Sequence, residues 1–144
     1  VAILSSETLH ATTVAIGGRG VLIEGVSGAG KSDLALRLID RGATLVSDDY
    51  SYIQRRDGQI ISSPPAAIAG KIEVRGIGIV DMPHAEEAPV ALLVALGEPT
   101  ARLPEPGVAR TFLGVEIPFL ALDGREASAA IKVELALRRT GTPA

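Results

Sequence analysis

Apolar residues fall in short runs along most of this chain, and only two stretches carry a helical period. Glu7 to Ile16 reads as one extended segment, followed by a turn at Gly17-Gly18-Arg19-Gly20. Gly20 to Glu24, with Val21-Leu22-Ile23 at its centre, is a short buried strand. The first helical pattern begins at Asp33 and runs to about Arg41, with Leu34, Leu38 and Ile39 on one side and Gly42 as its stop. Thr44-Leu45-Val46-Ser47 is a further buried strand that ends in Asp48-Asp49. Tyr50 to Arg56 and Gln59 to Ser62 flank Asp57-Gly58, which predicts a hairpin. Ser63-Pro64-Pro65 breaks the pattern. Lys71 to Val74 and Ile77 to Val80 are extended, and Val90 to Leu96 is buried strand. Pro99 to Pro106 is a loop with three prolines; Phe112 to Ile117 and Phe119 to Leu122 are strands. Glu126 to Arg139 is a closing amphipathic helix, and residues from about 140 to 144 read as a tail. The order predicts an α/β fold, a mixed sheet with flanking helices. It holds more strand than a small doubly wound nucleotide kinase. At 144 residues, one domain spanning 1–144 is the natural division.

The loop between the first strong strand and the first helix carries chemistry. Gly25-Val26-Ser27-Gly28-Ala29-Gly30-Lys31-Ser32 has the form G-x-x-x-x-G-K-S, the phosphate-binding (Walker A) loop. Its glycines let backbone N–H groups face a polyphosphate with no Cβ in the way. The helix N-terminus adds partial positive charge. In this arrangement Lys31 reaches the β- and γ-phosphates of a nucleotide such as ATP, and Ser32 ligates Mg²⁺. Gly25, Ser27, Gly28, Ala29, Gly30, Lys31 and Ser32 are therefore the nucleotide-binding candidates. Asp48-Asp49 is the acidic partner. One carboxylate can organise Mg²⁺ while the other exchanges a proton with the attacking hydroxyl. A regular strand would send their side chains to opposite faces, so both serve one site only from a strand end or turn. Which of the two is the base stays open.

Composition removes other functions. Aromatic residues are 3% of the chain, with no Trp, so platforms for stacking bases have little material. Net charge is -3 with no basic run, which argues against non-specific nucleic-acid or membrane-surface binding. There is no cysteine for a disulfide frame or thiolate metal site. The apolar runs are far shorter than a membrane span. The expectation is a soluble, cytoplasmic protein.

The residues Gly20-Val21-Leu22-Ile23, Gly25, Ser27-Gly28, Gly30-Lys31-Ser32, Arg41-Gly42, Leu45-Val46 and Asp48-Asp49 together resemble the core of the bifunctional HPr kinase/phosphorylases. Glu73-Val74-Arg75-Gly76-Ile77-Gly78-Ile79-Val80-Asp81 is similar to that family's second signature, E-I-R-G-x-G-I-I-D. Leu113-Gly114-Val115 with Pro118, and later Gly124-Arg125, are similar to its C-terminal pattern. The resemblance runs from about His10 to Leu137.

It implies an α/β phosphate-loop kinase core and an ATP- and Mg²⁺-dependent serine kinase. The implied partner is HPr, the small phosphocarrier of the sugar phosphotransferase system. Reversal by phosphorolysis is also implied, with inorganic phosphate attacking phosphoserine to give pyrophosphate. By position, the resemblance puts Lys31 and Ser32 on phosphate and Mg²⁺. It makes the Asp48-Asp49 pair the acid/base and metal carboxylates, and Glu73 a further metal-site acid. It places His10 in the active site and Arg102 near the transferring phosphate. It also implies a homo-oligomer, a hexamer in the family.

The chain departs from the pattern in places. Val26 and Asp33 stand where the family has Asp and Glu. Met82-Pro83-His84-Ala85-Glu86-Glu87-Ala88 replaces a longer Gly/Ala-rich loop implicated in partner binding and phosphorolysis, and the sequence given opens at the catalytic core, after the place of the family's large N-terminal domain. In this the chain is similar to truncated forms of some proteobacteria, for which a nitrogen-related phosphocarrier is the implied partner. A small-molecule kinase of the phosphate-loop class and a nucleotide or phosphate sensor without turnover are the alternatives.

Other residues carry plainer expectations. Without the resemblance, His10 reads as an ordinary strand histidine. His84 beside Glu86-Glu87 reads as solvated, and Arg75 as a partner for Asp81 or a neighbouring subunit. Arg37, Arg41, Arg138 and Arg139 fit solvated helix faces. Ile131, Leu135 and Leu137 are core or subunit contacts.

Overall fold

The computed structural model describes residues 5–98, 100–103, 105 and 107–140. The tail after Thr140 and the three prolines of the 99–106 loop lie outside the described residues. Among the described residues, eleven strands and two α-helices follow in chain order: β1 (Ser6–Leu9), β2 (Ala11–Ile16), β3 (Arg19–Glu24), α1 (Lys31–Asp40), β4 (Thr44–Ser47), β5 (Ser51–Arg56), β6 (Gln59–Ser63), β7 (Lys71–Val74), β8 (Gly78–Asp81), β9 (Ala88–Leu96), β10 (Ala109–Phe112), β11 (Val115–Leu122) and α2 (Ala129–Arg139). The main sheet runs β1-β5-β6-β9-β3-β2-β4, with β11 added to β9 and β10 added to β11, while β7 and β8 form a separate hairpin. It is mixed: β3 is parallel to β9 and antiparallel to β2, and β11 is parallel to β9.

Alternation along the central strands builds two cores. Val21 and Ile23 of β3, with Leu92, Val94 and Leu96 of β9, face Leu34 and Leu38 of α1 and Val133 and Leu137 of α2. Leu22 and Leu93 point the other way, into a core with Ile53, Ile60, Phe112 and Ile117. Burying a leucine such as Leu34 or Leu38 contributes about 1.5–3 kcal/mol. Gly20 is required where β3 meets β9: a Cβ there would lie 2.9 Å from the Pro89 carbonyl oxygen. The register shifts at this point, so that Gly20 opposes Val90 and Val21 opposes Leu92. That shift explains why Val90 joins the same core as Leu93 although their positions differ by an odd number.

The expected elements form, with three differences. The extended segment Glu7 to Ile16 is two strands, broken at His10, and β1 and β2 pair with different neighbours. The break between the late strands falls at Leu113-Gly114, not Pro118, because both turn residues take the left-handed conformation, φ 49° and 81°. Pro118 is tolerated inside β11. Phe119 donates its N–H toward Val108 on the β10 side, so the Pro118 nitrogen faces the side where pairing with β9 starts only at Phe119. The last helix begins at Ala129, not Glu126, and the Glu126 carbonyl accepts from the Ala129 N–H in the preceding turn.

Arg37 and Arg41 are not simply solvated; they join α1 to the C-terminal segment. Arg37 donates to the carbonyls of Gly124 and Glu126, and to Asp33 at 3.1 Å. Arg41 grips both carboxylate oxygens of Glu134 on α2, at 2.8 and 3.1 Å. That hydrogen bonding, helped by the guanidinium charge, holds the Glu134 carboxyl below the usual carboxylate range. A lowered pKa stabilises the fold above the unfolded value of about 4.3, and the contribution disappears as pH falls through the lower folded value. Urea unfolding from pH 7 to pH 3 should therefore show Glu134→Gln less stable than the parent at neutral pH. The two curves should converge in acid; a gap independent of pH would show that the ion pair is not its source.

Candidate active site

Sheet topology gathers the chemistry at one edge. β3 and β4 both run antiparallel to β2, so their C-terminal ends lie beside the N-terminal end of β2. β9 and β11 run parallel to β3 and end at the same edge. The phosphate loop after β3, Asp48-Asp49 after β4 and His10 before β2 therefore converge, although as many as 39 positions separate them in sequence. Ligand sites in open α/β sheets form at such carboxyl ends.

The phosphate loop wraps onto its own lysine. Gly28 and Gly30 have φ of 84° and 97°, which glycine adopts without strain. Gly25 has no room for a side chain, since a Cβ would stand 3.0 Å from that of Ala29 and 3.2 Å from that of Leu96. Lys31 is 6% exposed, and its Nζ donates to the carbonyls of Gly25 at 2.8 Å and Val26 at 3.3 Å. Val26 stands exposed at the loop tip.

The two aspartates take different positions, as a strand end allows. Asp48 is buried. Its Oδ1 accepts from the Ser32 hydroxyl at 2.6 Å and the Thr12 hydroxyl at 3.2 Å, and its Oδ2 accepts from the Glu73 backbone N–H at 3.0 Å. Asp49 turns away with φ 66°, a left-handed conformation that aspartate tolerates better than most residues. Its side chain is half exposed and meets His10 Nε2 at 2.8 Å. An ionised carboxylate only accepts, so the Nε2 proton lies on the histidine in this pair. Tyr50 stacks against the His10 ring, with centroids 5.0 Å apart and planes 23° from parallel. Turn bonds from the Tyr50 N–H to the Asp48 carbonyl (2.7 Å) and from the Ser47 hydroxyl to the Tyr50 carbonyl lock the bend.

Ser27, Gly28, Gly30, Lys31, Ser32, Asp49 and Glu73 line a cleft of about 370 Å³, together with Asp33, Leu36, Val74 and Arg75. Glu73 and Arg75 come from the signature hairpin β7–β8, whose inner face packs Ile72 fully buried against the first core. Arg75 does not hold Asp81, which pairs with Lys71 at 2.7 Å. A second opening, about 580 Å³, lies beyond the loop and is lined by Gly28, Ala29, Gly97, Asp123 and Arg125 among others. There the Arg125 backbone N–H, and then its side chain, hold the Asp123 carboxyl below its usual range. Arg102 lies exposed in the loop after β9 and is not among the residues lining either opening.

Among the described residues, no three His, Asp or Glu side chains converge as a ready-made metal cage. The Ser32 hydroxyl and Asp48 carboxylate, 2.6 Å apart, are hard oxygen donors of the kind Mg²⁺ takes. Mg²⁺ at phosphate sites keeps water and substrate oxygens for its other positions, so this sparse set fits it. Thr12, Tyr50, Leu36 and the Glu73 main chain are parts of the site that sequence reading did not single out. The one available signal was Thr12-Thr13, two hydroxyls inside an otherwise apolar strand just after His10. His84 is exposed, and it bridges to Leu45 of β4, tying the short segment after Asp81 to the sheet. Ile131 and Leu135 are exposed on α2, whereas Leu137 is core.

The HPr kinase/phosphorylase of Clostridium botulinum (strain Eklund 17B / Type B) is 50% identical over 80 residues, 55% of this chain and 26% of that protein. The HPr kinase/phosphorylase of Clostridium tetani is 49% identical over 81 residues, 56% of this chain and 27% of that protein. The chain thus spans about a quarter of the length of these curated relatives. A solved structure, that of the Hpr(Ser) kinase/phosphatase from Coxiella burnetii, superposes with a TM-score of 0.78 at 30% identity, covering 92% of this chain and 94% of that one. The family model described as the HPr serine kinase C-terminal domain matches residues 2–138. With a matching fold, and with the family model spanning nearly its whole length, the chain belongs to the HPr serine kinase C-terminal domain family.

Proposed function

We propose that this chain transfers the γ-phosphoryl group of ATP to a serine of an HPr-like phosphocarrier protein, and that it can return the group to inorganic phosphate, giving pyrophosphate. The observation that carries this reading is the division of labour between the aspartates around one phosphate loop: Asp48 on Ser32, Asp49 on His10. In it, the loop N–H groups and Lys31 hold the nucleotide phosphates. Lys31 exchanges its two carbonyl partners for phosphate oxygens, which are stronger acceptors. Ser32 and Asp48 hold Mg²⁺, with Glu73 at the cleft wall as a further acidic group; the ion, when bound, neutralises charge on the phosphates. The Asp49 carboxylate takes the serine proton, and His10, stacked on Tyr50, keeps that carboxylate oriented. In the reverse direction the same carboxyl returns the proton to the departing serine oxygen, by microscopic reversibility. Arg102, from its exposed loop, is the candidate to approach the transferring phosphate once substrates are bound. A carrier of the sugar phosphotransferase system places the reaction in the cytoplasm, and homo-oligomerisation, a hexamer on the family pattern, is part of the proposal.

The test is label transfer from γ-labelled ATP to a purified HPr-type carrier with Mg²⁺, against a carrier lacking its acceptor serine. Acid-stable label that depends on the serine is the expected result. Adding phosphate should then release label as pyrophosphate. ATP binding without transfer to any carrier would overturn the kinase reading in favour of a sensor.

A further inference from the structure

We infer that Thr12 is the positioning residue that sets the two aspartates in their separate roles. It is fully buried at the start of β2, and its one hydroxyl makes two bonds of opposite sense. It donates to Asp48 Oδ1 at 3.2 Å and accepts from the Asp49 backbone N–H at 3.0 Å. The first bond helps aim the Asp48 carboxylate at Ser32. The second pins the main chain at the residue that adopts φ 66°, which is what turns the Asp49 side chain away from Asp48 and toward His10.

The strand under Thr12 is itself anchored by hydroxyls. Thr13, also buried, meets the Ser51 hydroxyl at 2.7 Å and the Ser62 hydroxyl at 2.8 Å, and Ser51 donates to the Ala11 carbonyl at 2.9 Å. This network ties the strand that carries Thr12 to β5 and β6. A valine at position 12 would fill the same space and leave both bonds unmade. One interaction would be lost on each aspartate, and the left-handed residue would lose its tether.

The inference rests on the proposed roles of Asp48 and Asp49 in nucleotide and metal handling. Its test compares Thr12→Val, which keeps shape and drops the hydroxyl, with Thr12→Ser, which keeps the hydroxyl. Each is titrated with ATP by calorimetry over a range of Mg²⁺ and assayed for label transfer to the carrier. Loss of a partner that orients a metal-site ligand costs about 10- to 100-fold, so Thr12→Val should weaken Mg²⁺-dependent ATP binding and lower kcat on that scale. KM for the carrier should hold, and Thr12→Ser should stay within a few-fold of the parent. A Val variant equal to the parent in both measurements overturns the inference. So does a Ser variant that falls as far as Val, since packing would then be the cause. If Thr12→Val does not fold, Thr12→Cys replaces it, with a poor donor of similar size and the same expectation. A parent chain that binds MgATP and labels no carrier counts against the kinase reading alone, and the calorimetry still decides on Thr12.

Discussion

Asp49→Asn should bind MgATP nearly as the parent does and transfer phosphate about 10²- to 10⁴-fold more slowly, the range for loss of a positioned general base. The substitution keeps the side-chain shape and leaves an acceptor oxygen for His10 Nε2, now 2.8 Å from the carboxylate. It removes the group that can take the serine proton. Because Asp49 is half exposed at the cleft wall, its replacement leaves no buried polar group stranded, and folding should be unaffected. Asp48→Asn should behave differently. That carboxylate is buried and accepts from Ser32, Thr12 and the Glu73 N–H, so its loss should show first as a raised Mg²⁺ requirement. Steady-state assays of both variants across Mg²⁺ concentrations separate the roles, since an interaction made only in the transition state lowers kcat without changing binding. If Asp48→Asn lost kcat alone while Asp49→Asn shifted only the Mg²⁺ dependence, the assignments would be exchanged.

Lys31→Met should abolish nucleotide-induced stabilisation and lower transfer by about 10²- to 10³-fold, the scale for loss of a preorganised donor to developing charge. The empty protein should melt close to the parent. Lys31 is 6% exposed, and among the described residues its ammonium donates to the Gly25 and Val26 carbonyls and to no carboxylate. Burying a charge on such terms is costly, so its removal offsets the loss of two hydrogen bonds. Thermal melts with and without MgATP read this directly, because a ligand that binds only the folded state stabilises it by an amount that grows with the logarithm of its concentration over Kd. A variant that melts far below the parent without ligand would show instead that Lys31 holds the loop together. One that keeps the full MgATP shift would remove it from phosphate binding.

Much of the fold is legible because its signals are local. The period of Leu34, Leu38 and Ile39 marks α1, the Asp57-Gly58 pair marks the β5–β6 turn, and Gly-Lys-Ser after an apolar strand marks the phosphate loop. The comparatively blank features are those in which a local rule yields to pairing. No periodicity shows that β1 and β2 part at His10, since both are extended and only their partners differ. Pro118 looked like a boundary and is not, because one side of β11 is unpaired at that point. The arginines of α1 read as surface charge until α2 and the 124–126 turn arrive to bind them.

The same division holds at the site. Residue type and spacing by themselves marked Gly25 to Ser32 as a loop of the phosphate-binding pattern and set acidic residues at the end of the next strand, because backbone conformation in a glycine loop depends on a few adjacent residues. The tertiary structure alone decided which aspartate faces which partner. Asp48 and Asp49 are chemically identical neighbours; what separates them is the antiparallel pairing of β2 with both β3 and β4, which carries Thr12 and His10 to the end of β4. One hydroxyl and one left-handed residue then send two equal carboxylates in different directions, and those contacts span 36 to 39 positions of sequence that no local pattern can encode.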